Sequence, residues 1–174
     1  MSLEIIMGGM FSGKSTELIR RVKRRNVINN SILVINSSKD TRSLDNVVQT
    51  HDSQTFDCVK TSTLSNINIE NYDVIAIDEA QFFTGLRTFV EFALMHDKHI
   101  ILAGLDGDFK QMKFGELFDV LPLANDVLKL CALCMDCKDG TLGPFSKRCL
   151  NDDTQQELIG GNEMYKAVCR KCLK

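Results

Sequence analysis

Short, nearly continuous apolar runs alternate with amphipathic or polar stretches along this 174-residue chain. Leu3-Glu-Ile-Ile-Met7, Ser31-Ile-Leu-Val-Ile-Asn36, Asn71-Tyr-Asp-Val-Ile-Ala-Ile77 and His99-Ile-Ile-Leu-Ala-Gly-Leu105 each read as a buried strand. Val127-Leu-Lys-Leu-Cys-Ala-Leu133 reads as a fifth. Between them, the segment from Ser15 through Lys23 and the segment from Leu86 to Lys98 carry helical spacing, with Phe89, Val90, Ala93 and Leu94 on one face of the second. Strands without polar alternation, separated by helices, predict a parallel sheet covered on both faces. Residues 39–57 are polar and irregular and read as a long loop. From Cys134 onward the periodicity fades, and cysteines and glycines cluster. The predicted organisation is an α/β domain over 1–133 and a small unit over 134–174.

The turn after the first strand carries the chemistry. Gly8-Gly9-Met10-Phe11-Ser12-Gly13-Lys14-Ser15 fits the phosphate-loop pattern G-x-x-x-x-G-K-[ST] at every fixed position, between a strand and a helix start. Backbone N–H groups and the helix dipole would face the phosphates, Lys14 would add a point charge, and the Ser15 hydroxyl can ligate Mg²⁺. Asp78 ends an apolar strand, where a Walker-B aspartate would serve Mg²⁺. Glu79 follows and could orient or deprotonate an attacking hydroxyl, or equally a water, so the pair by itself does not separate kinase from ATPase. Arg42, in the polar stretch, is as readily a surface side chain as a partner for the transferring phosphoryl group. The phosphate loop, Asp78-Glu79 and Asp106-Gly107-Asp108-Phe109 all follow strands, which places them at one edge of the sheet.

Composition then narrows the classes. The formal net charge is −2, which does not suit a dedicated nucleic-acid binder. The basic cluster Arg20, Arg21, Lys23, Arg24 and Arg25 reads as the solvated face of the first helix. No run reaches the length of a membrane span, and the first strand begins almost at residue 1, leaving no room for a targeting peptide, so a cytoplasmic protein is expected. Among the seven cysteines, Cys134-x₂-Cys137 and Cys169-x₂-Cys172 predict a closed, structural four-thiolate zinc site. Cys131 is assigned to strand packing, and Cys58 and Cys149 to buried or partly buried free thiols. The segment 138–168 would then be a lasso pinned at both ends by one metal, either closing over a small substrate or serving as a structural flap or oligomer contact.

These landmarks resemble the type II thymidine kinases: the loop through Arg21-Val22, Asp40-Thr41-Arg42, Thr50-His51-Asp52, Ile77 to Phe83, Leu105 to Phe109, Phe145 to Arg148, Ile159 to Gly161, and Tyr165 before Cys169-Arg-Lys-Cys172. The compact termini are more similar to poxviral than to cellular members. The resemblance implies transfer of the γ-phosphate of ATP to the 5′-hydroxyl of deoxythymidine. It implies Glu79 as general base, Lys14 and Arg42 on the phosphates, and Asp78 and Ser15 serving Mg²⁺. It places Met10, Leu105, Phe109, Ser146 and Tyr165 around the nucleoside. The backbone of Gln156, Glu157, Leu158, Ile159 and Gly160 would meet the base. A homotetramer or dimer, feedback inhibition by dTTP, and location in the cytoplasm (a host's, if the source is viral) are implied as well. The chain departs from the family pattern at Gly9 (commonly proline or serine), Ala80 (commonly glycine) and Asp108 (commonly threonine), and carries Gly143-Pro144 and Cys149 in a longer lasso.

Overall fold

The computed structural model describes residues 1–40, 47–49, 55–149 and 164–174. Its centre is a six-stranded sheet of order β5-β2-β6-β7-β1-β8, every pairing parallel. The strands are β1 (Ser2–Gly8), β2 (Ile32–Ser37), β5 (Val59–Thr61), β6 (Val74–Ile77), β7 (His99–Gly104) and β8 (Asp126–Leu130). Side chains alternate across β1. Leu3, Ile5 and Met7 join a core with Ile75, Ile77, Ile100 and Leu102 beneath helix α2 (Leu86–Met95). Ile6 points the other way, with Ala76, Ile101 and Ala103, onto Leu18, Ile19 and Val22 of helix α1 (Lys14–Asn26). Both faces are therefore covered, which is why the strand sequences show apolar runs rather than alternation.

Differences from the expected elements have local causes. Inside the expected loop, β3 (Val47–Gln49) pairs antiparallel with β4 (Thr55–Asp57), and Val48 is buried against the α1 side of the sheet. The third long run forms a strand only from Val74, because Asp73 Oδ2 accepts hydrogen bonds from the Ser31 backbone N (2.8 Å) and Oγ (2.8 Å) and shapes a turn. The last run breaks in two. β8 joins the large sheet beside β1, whereas β9 (Ala132–Leu133) pairs antiparallel with β10 (Leu142–Gly143). Cys131 sits at the break and is exposed, so it is not a packing residue as the sequence suggested. Cys149 is likewise exposed, while Cys58 is buried as expected.

Beyond β10, β11 (Phe145–Arg148) pairs antiparallel with β12 (Tyr165–Val168). This C-terminal unit has its own small cluster of Cys134, Val168 and Cys169, with Phe145 and Leu173 packed against it. No helix among the described residues is long and apolar enough to cross a membrane.

Candidate active site

Three loops leave the carboxyl ends of adjacent strands. β1 runs into the phosphate loop, β6 into Asp78-Glu79, and β7 into Leu105 to Phe109. Register puts these ends level, with Met7 opposite Gly104 and Ile77 opposite Leu102. The convergence expected from sequence is thus built by three neighbouring strands.

The phosphate loop starts where no side chain fits, since a Cβ on Gly8 would lie 2.3 Å from the Leu130 carbonyl oxygen of β8. Phe11 (φ 62°) and Gly13 (φ 85°) take left-handed conformations that curl the backbone before α1. Within the loop, Ser12 Oγ donates to the Gly9 carbonyl (2.8 Å), and buried Lys14 Nζ donates to the same oxygen (2.8 Å). Met10 N–H is committed elsewhere, donating to Ser146 Oγ on β11 at 2.9 Å. Glycine at position 9 has a local reason too. A Cβ there would stand 3.0 Å from the Pro144 carbonyl oxygen, so Pro144 lies directly against the loop.

Asp78 is buried, and its Oδ1 accepts the Glu79 backbone N–H at 3.0 Å. Glu79 itself is left-handed (φ 52°, ψ 41°), an uncommon conformation for a glutamate and one concentrated at functional sites. The following 3₁₀ turn, Ala80–Phe82, begins as Phe82 N–H bonds the Glu79 carbonyl at 3.0 Å. Gln81 is buried in that turn and reaches back to Glu79 Oε2 (2.6 Å) and across to Leu105 N (3.0 Å). Sequence reasoning missed Gln81, because its two partners follow the ends of different strands.

Facing these loops, the β11–β12 hairpin contributes a cation–aromatic stack. The Arg148 guanidinium lies 3.8 Å from the Phe109 ring centroid and donates to Tyr165 OH at 2.9 Å. Arg148 is buried and opposite Tyr165 in register. In the sequence it falls within the Phe145-to-Arg148 landmark with no role of its own, and the signal for one is its position two residues after Ser146 on the same strand face. The structure therefore joins Met10 with Ser146, and Phe109 with Arg148 and Tyr165. Leu105 is tied to Glu79 through Gln81. Asp108 is buried, and its Oδ1 accepts Lys110 N (2.8 Å) and Met112 N (2.9 Å), bonds that fold its own loop. Ser15 stands half-buried in the first turn of α1. Arg42, His51, Asp52 and the segment Gln156, Glu157, Leu158, Ile159, Gly160 and Gly161 lie outside the described residues.

The four-cysteine cluster forms as expected. The ligand atoms of Cys134, Cys137, Cys169 and Cys172 lie within 4.8 Å of one another, with Cys137 Sγ 3.7 Å from Cys169 Sγ and 3.5 Å from Cys172 Sγ. A tetrahedral site with Zn–S bonds of about 2.3 Å has sulfur–sulfur edges of about 3.8 Å, so the set fits a metal of that size. Cys134 Sγ also accepts backbone N–H groups of Cys169 (3.2 Å) and Cys137 (3.5 Å). Burial opposes ionisation there, but these donors outweigh it and bring the Cys134 thiol down to about 6. The basic helix needs correction. Arg21 is not a solvated side chain but is bound to Glu4, Glu17 and Asp126, and Arg25 reaches Glu4 and His99.

The thymidine kinase family model matches residues 1–173. The chain belongs to the thymidine kinase family. It is 44% identical over 173 residues to the thymidine kinase of Myxoma virus (strain Uriarra), covering 98% of this chain and 94% of that protein. It is 45% identical over 172 residues to that of Rabbit fibroma virus (strain Kasza), with the same coverage. Identity to the Vaccinia virus (strain Ankara) thymidine kinase is 42% over 173 residues, covering 98% and 95% of the two chains. As a member of the thymidine kinase family, the chain is a phosphotransferase.

Proposed function

We propose that this enzyme transfers the γ-phosphate of ATP to the 5′-hydroxyl of deoxythymidine, giving dTMP and ADP. The observation that carries the reading is the direct joining of a donor loop to an acceptor wall. Met10 of the phosphate loop is hydrogen-bonded to Ser146, on the same strand as the Arg148 that stacks on Phe109 and holds Tyr165. In the transfer, the Glu79 carboxylate takes the proton of the 5′-hydroxyl as that oxygen bonds to the γ-phosphorus. The bond from the γ-phosphorus to the β,γ-bridging oxygen breaks, and its electron pair leaves with ADP. The loop amides of Gly8, Gly9, Phe11, Ser12 and Gly13, with Lys14, hold the donor phosphates, the Met10 amide being bonded to Ser146 instead, and Arg42 stabilises charge on the moving group. Ser15 and Asp78, a hydroxyl and a carboxylate, are a hard-oxygen donor set suited to Mg²⁺, which when bound would neutralise phosphate charge.

Met10, Leu105, Phe109, Ser146 and Tyr165 would line the nucleoside, with the backbone of residues 156–160 meeting the base. The four cysteines would hold a structural zinc. The family resemblance supports a homotetramer or dimer, dTTP feedback and a cytoplasmic location.

The test is ATP consumption with deoxythymidine, deoxyuridine, deoxycytidine and single-stranded DNA offered separately. Turnover with deoxythymidine, yielding dTMP, is expected. Hydrolysis stimulated by DNA, without nucleoside phosphorylation, would instead favour a nucleic-acid-dependent ATPase. Metal analysis should find about one zinc per folded chain.

A further inference from the structure

Gln81 is a buried polar side chain that the reaction above leaves without a role, yet it touches the candidate base. Its amide orientation is fixed by its partners. Leu105 N–H can only donate, so Oε1 faces it at 3.0 Å, and the NH₂ group then faces Glu79 Oε2 at 2.6 Å. The side chain is 3% exposed, so neither bond is shared with bulk water.

The surroundings are shaped to hold this one side chain. A Cβ at Gly104 would lie 2.9 Å from Gln81 Oε1, so the end of β7 leaves room for the amide. Gly115, left-handed at φ 63°, passes under the turn so closely that a Cβ there would stand 2.1 Å from the Gln81 carbonyl oxygen. The next residue, Glu116, pins the far side of the turn by accepting Gly85 N–H (2.9 Å) and Arg87 N–H (3.3 Å) at the start of α2. Gln81 is thus clamped above and below, with one arm on the base and the other on the loop that follows β7.

We propose that Gln81 is a positioning residue: it fixes the Glu79 carboxylate in the orientation that receives the hydroxyl proton, and registers it against Leu105 in the nucleoside wall. A left-handed glutamate with a flexible side chain needs an external reference, and a buried amide bonded to the neighbouring strand end supplies one. The inference rests on Glu79 being the base. A small misplacement of a reacting group costs up to about 100-fold in rate, so a 10- to 100-fold loss is expected from removing the reference.

Two variants separate the contributions. Gln81→Met keeps the length and loses both hydrogen bonds, whereas Gln81→Glu keeps an acceptor for Leu105 and replaces the donor to Glu79 with a like charge. Both should lower kcat 10- to 100-fold per folded molecule while the Kd for ATP, measured by titration without nucleoside, stays close to the parent. The thermal melt should remain cooperative at a lower midpoint, because Leu105 N–H loses its acceptor in Gln81→Met and like charges are buried together in Gln81→Glu, so assays are run well below it. In a Glu79→Gln background, Gln81→Met should cost less than threefold more, because the group it positions is gone. A kcat within threefold of the parent in Gln81→Met overturns the proposal. So does a loss of ATP affinity matching the loss of kcat in both variants, which would make Gln81 a packing residue. If Glu79→Gln itself turns over normally, the assignment of the base has failed. If Glu79→Gln is crippled and Gln81→Met is not, only the positioning role has failed.

Discussion

The two ends of the central sheet are made from the same parallel strands and handle polar groups in opposite ways. At the amino end, Glu4 of β1 meets Arg21 and Arg25 of α1 and His99 of β7, with His99 Nε2 3.0 Å from Glu4 Oε1 and the Ser2 hydroxyl on the other ring nitrogen. Charges there neutralise one another on regular strand and helix backbone. At the carboxyl end, Phe11, Gly13 and Glu79 are left-handed, Lys14 opens α1 directly after its loop, and Asp78 and Glu79 follow the end of β6. The amino end spends its charge on holding α1 to the sheet. The carboxyl end holds its polar groups in uncommon geometry, where they can act on a substrate. On the proposed function, stability and chemistry are separated by the length of a strand, and substitutions at the two ends should fail in different ways.

The largest expected effect is at the carboxyl end. Glu79→Gln keeps size and hydrogen-bonding capacity and removes the proton acceptor. Turnover should fall roughly 10²- to 10⁴-fold, with ATP affinity and melting temperature almost unchanged. Steady-state kinetics beside ATP titration and a thermal melt read all three. A kcat near that of the parent would remove Glu79 from the chemistry and erase the contrast between the ends.

Next comes a substitution at the carboxyl end that should act on stability. Gly115→Ala places a methyl group 2.1 Å from the Gln81 carbonyl oxygen on a backbone with φ 63°. Left-handed strain and the forced shift of the turn together should cost about 2–4 kcal/mol in urea unfolding, and turnover per folded molecule should fall as Gln81 moves. An unchanged unfolding midpoint would show that the turn is looser than its geometry implies.

The amino end sharpens the comparison from the other side. Arg21→Met should lower stability by about 1–3 kcal/mol while turnover per folded molecule holds, because Glu4 and Glu17 lose a shared cation in a poorly solvated place. Acid should reproduce this loss. The hydrogen bond with His99, helped by Arg21, outweighs burial and holds the Glu4 carboxyl at about 2 rather than 4.5, and Arg20, helped by Arg21, does the same for Glu17. Both values are depressed on folding, so their stabilisation is fully present above pH 4.5 and is lost as pH falls toward 2. Urea midpoints measured at pH 6, 4 and 3 should decline in the parent and decline less in Arg21→Met. A parallel decline in both proteins would place the acid sensitivity elsewhere.

The sheet was legible in the sequence because each buried strand needs an uninterrupted apolar run, and β1, β2, β6 and β7 each have one. β5 was not read, since three residues at a sheet edge carry too little pattern. The hairpin of β3 and β4 hid in a polar stretch because Val48 and Phe56 are its main apolar signals. The phosphate loop, the acidic pair and the cysteine spacing were legible because each is a short local motif. Gln81 and Arg148 were not, because a glutamine bridging two strand ends and an arginine stacked on a distant phenylalanine declare themselves only after folding. Arg21 misled for the same reason: a basic run looks solvated until the acidic residues facing it are known.

The smallest effect decides why the amino end is stabilising. Arg21 Nη1 binds two carboxylates, that of Glu4, which is 20% exposed, and that of Asp126 at 3.0 Å, which is 57% exposed. The cation is shared, but Glu4 also meets Arg25 and His99, so the two acids differ in their other partners as well as in how far water screens them. Exposed ion pairs contribute at most about 1 kcal/mol and often nothing measurable, so Asp126→Asn should move the unfolding free energy by less than about 0.5 kcal/mol. If burial is what makes the cluster strong, Glu4→Gln should cost several times more than Asp126→Asn under the same conditions, and added salt should narrow the Asp126 effect further while leaving most of the Glu4 effect. Equal costs for the two substitutions would mean that the number of charges around Arg21 governs stability rather than their shielding from water. The amino end would then be a screened surface network, and its contrast with the active end would rest on backbone geometry alone.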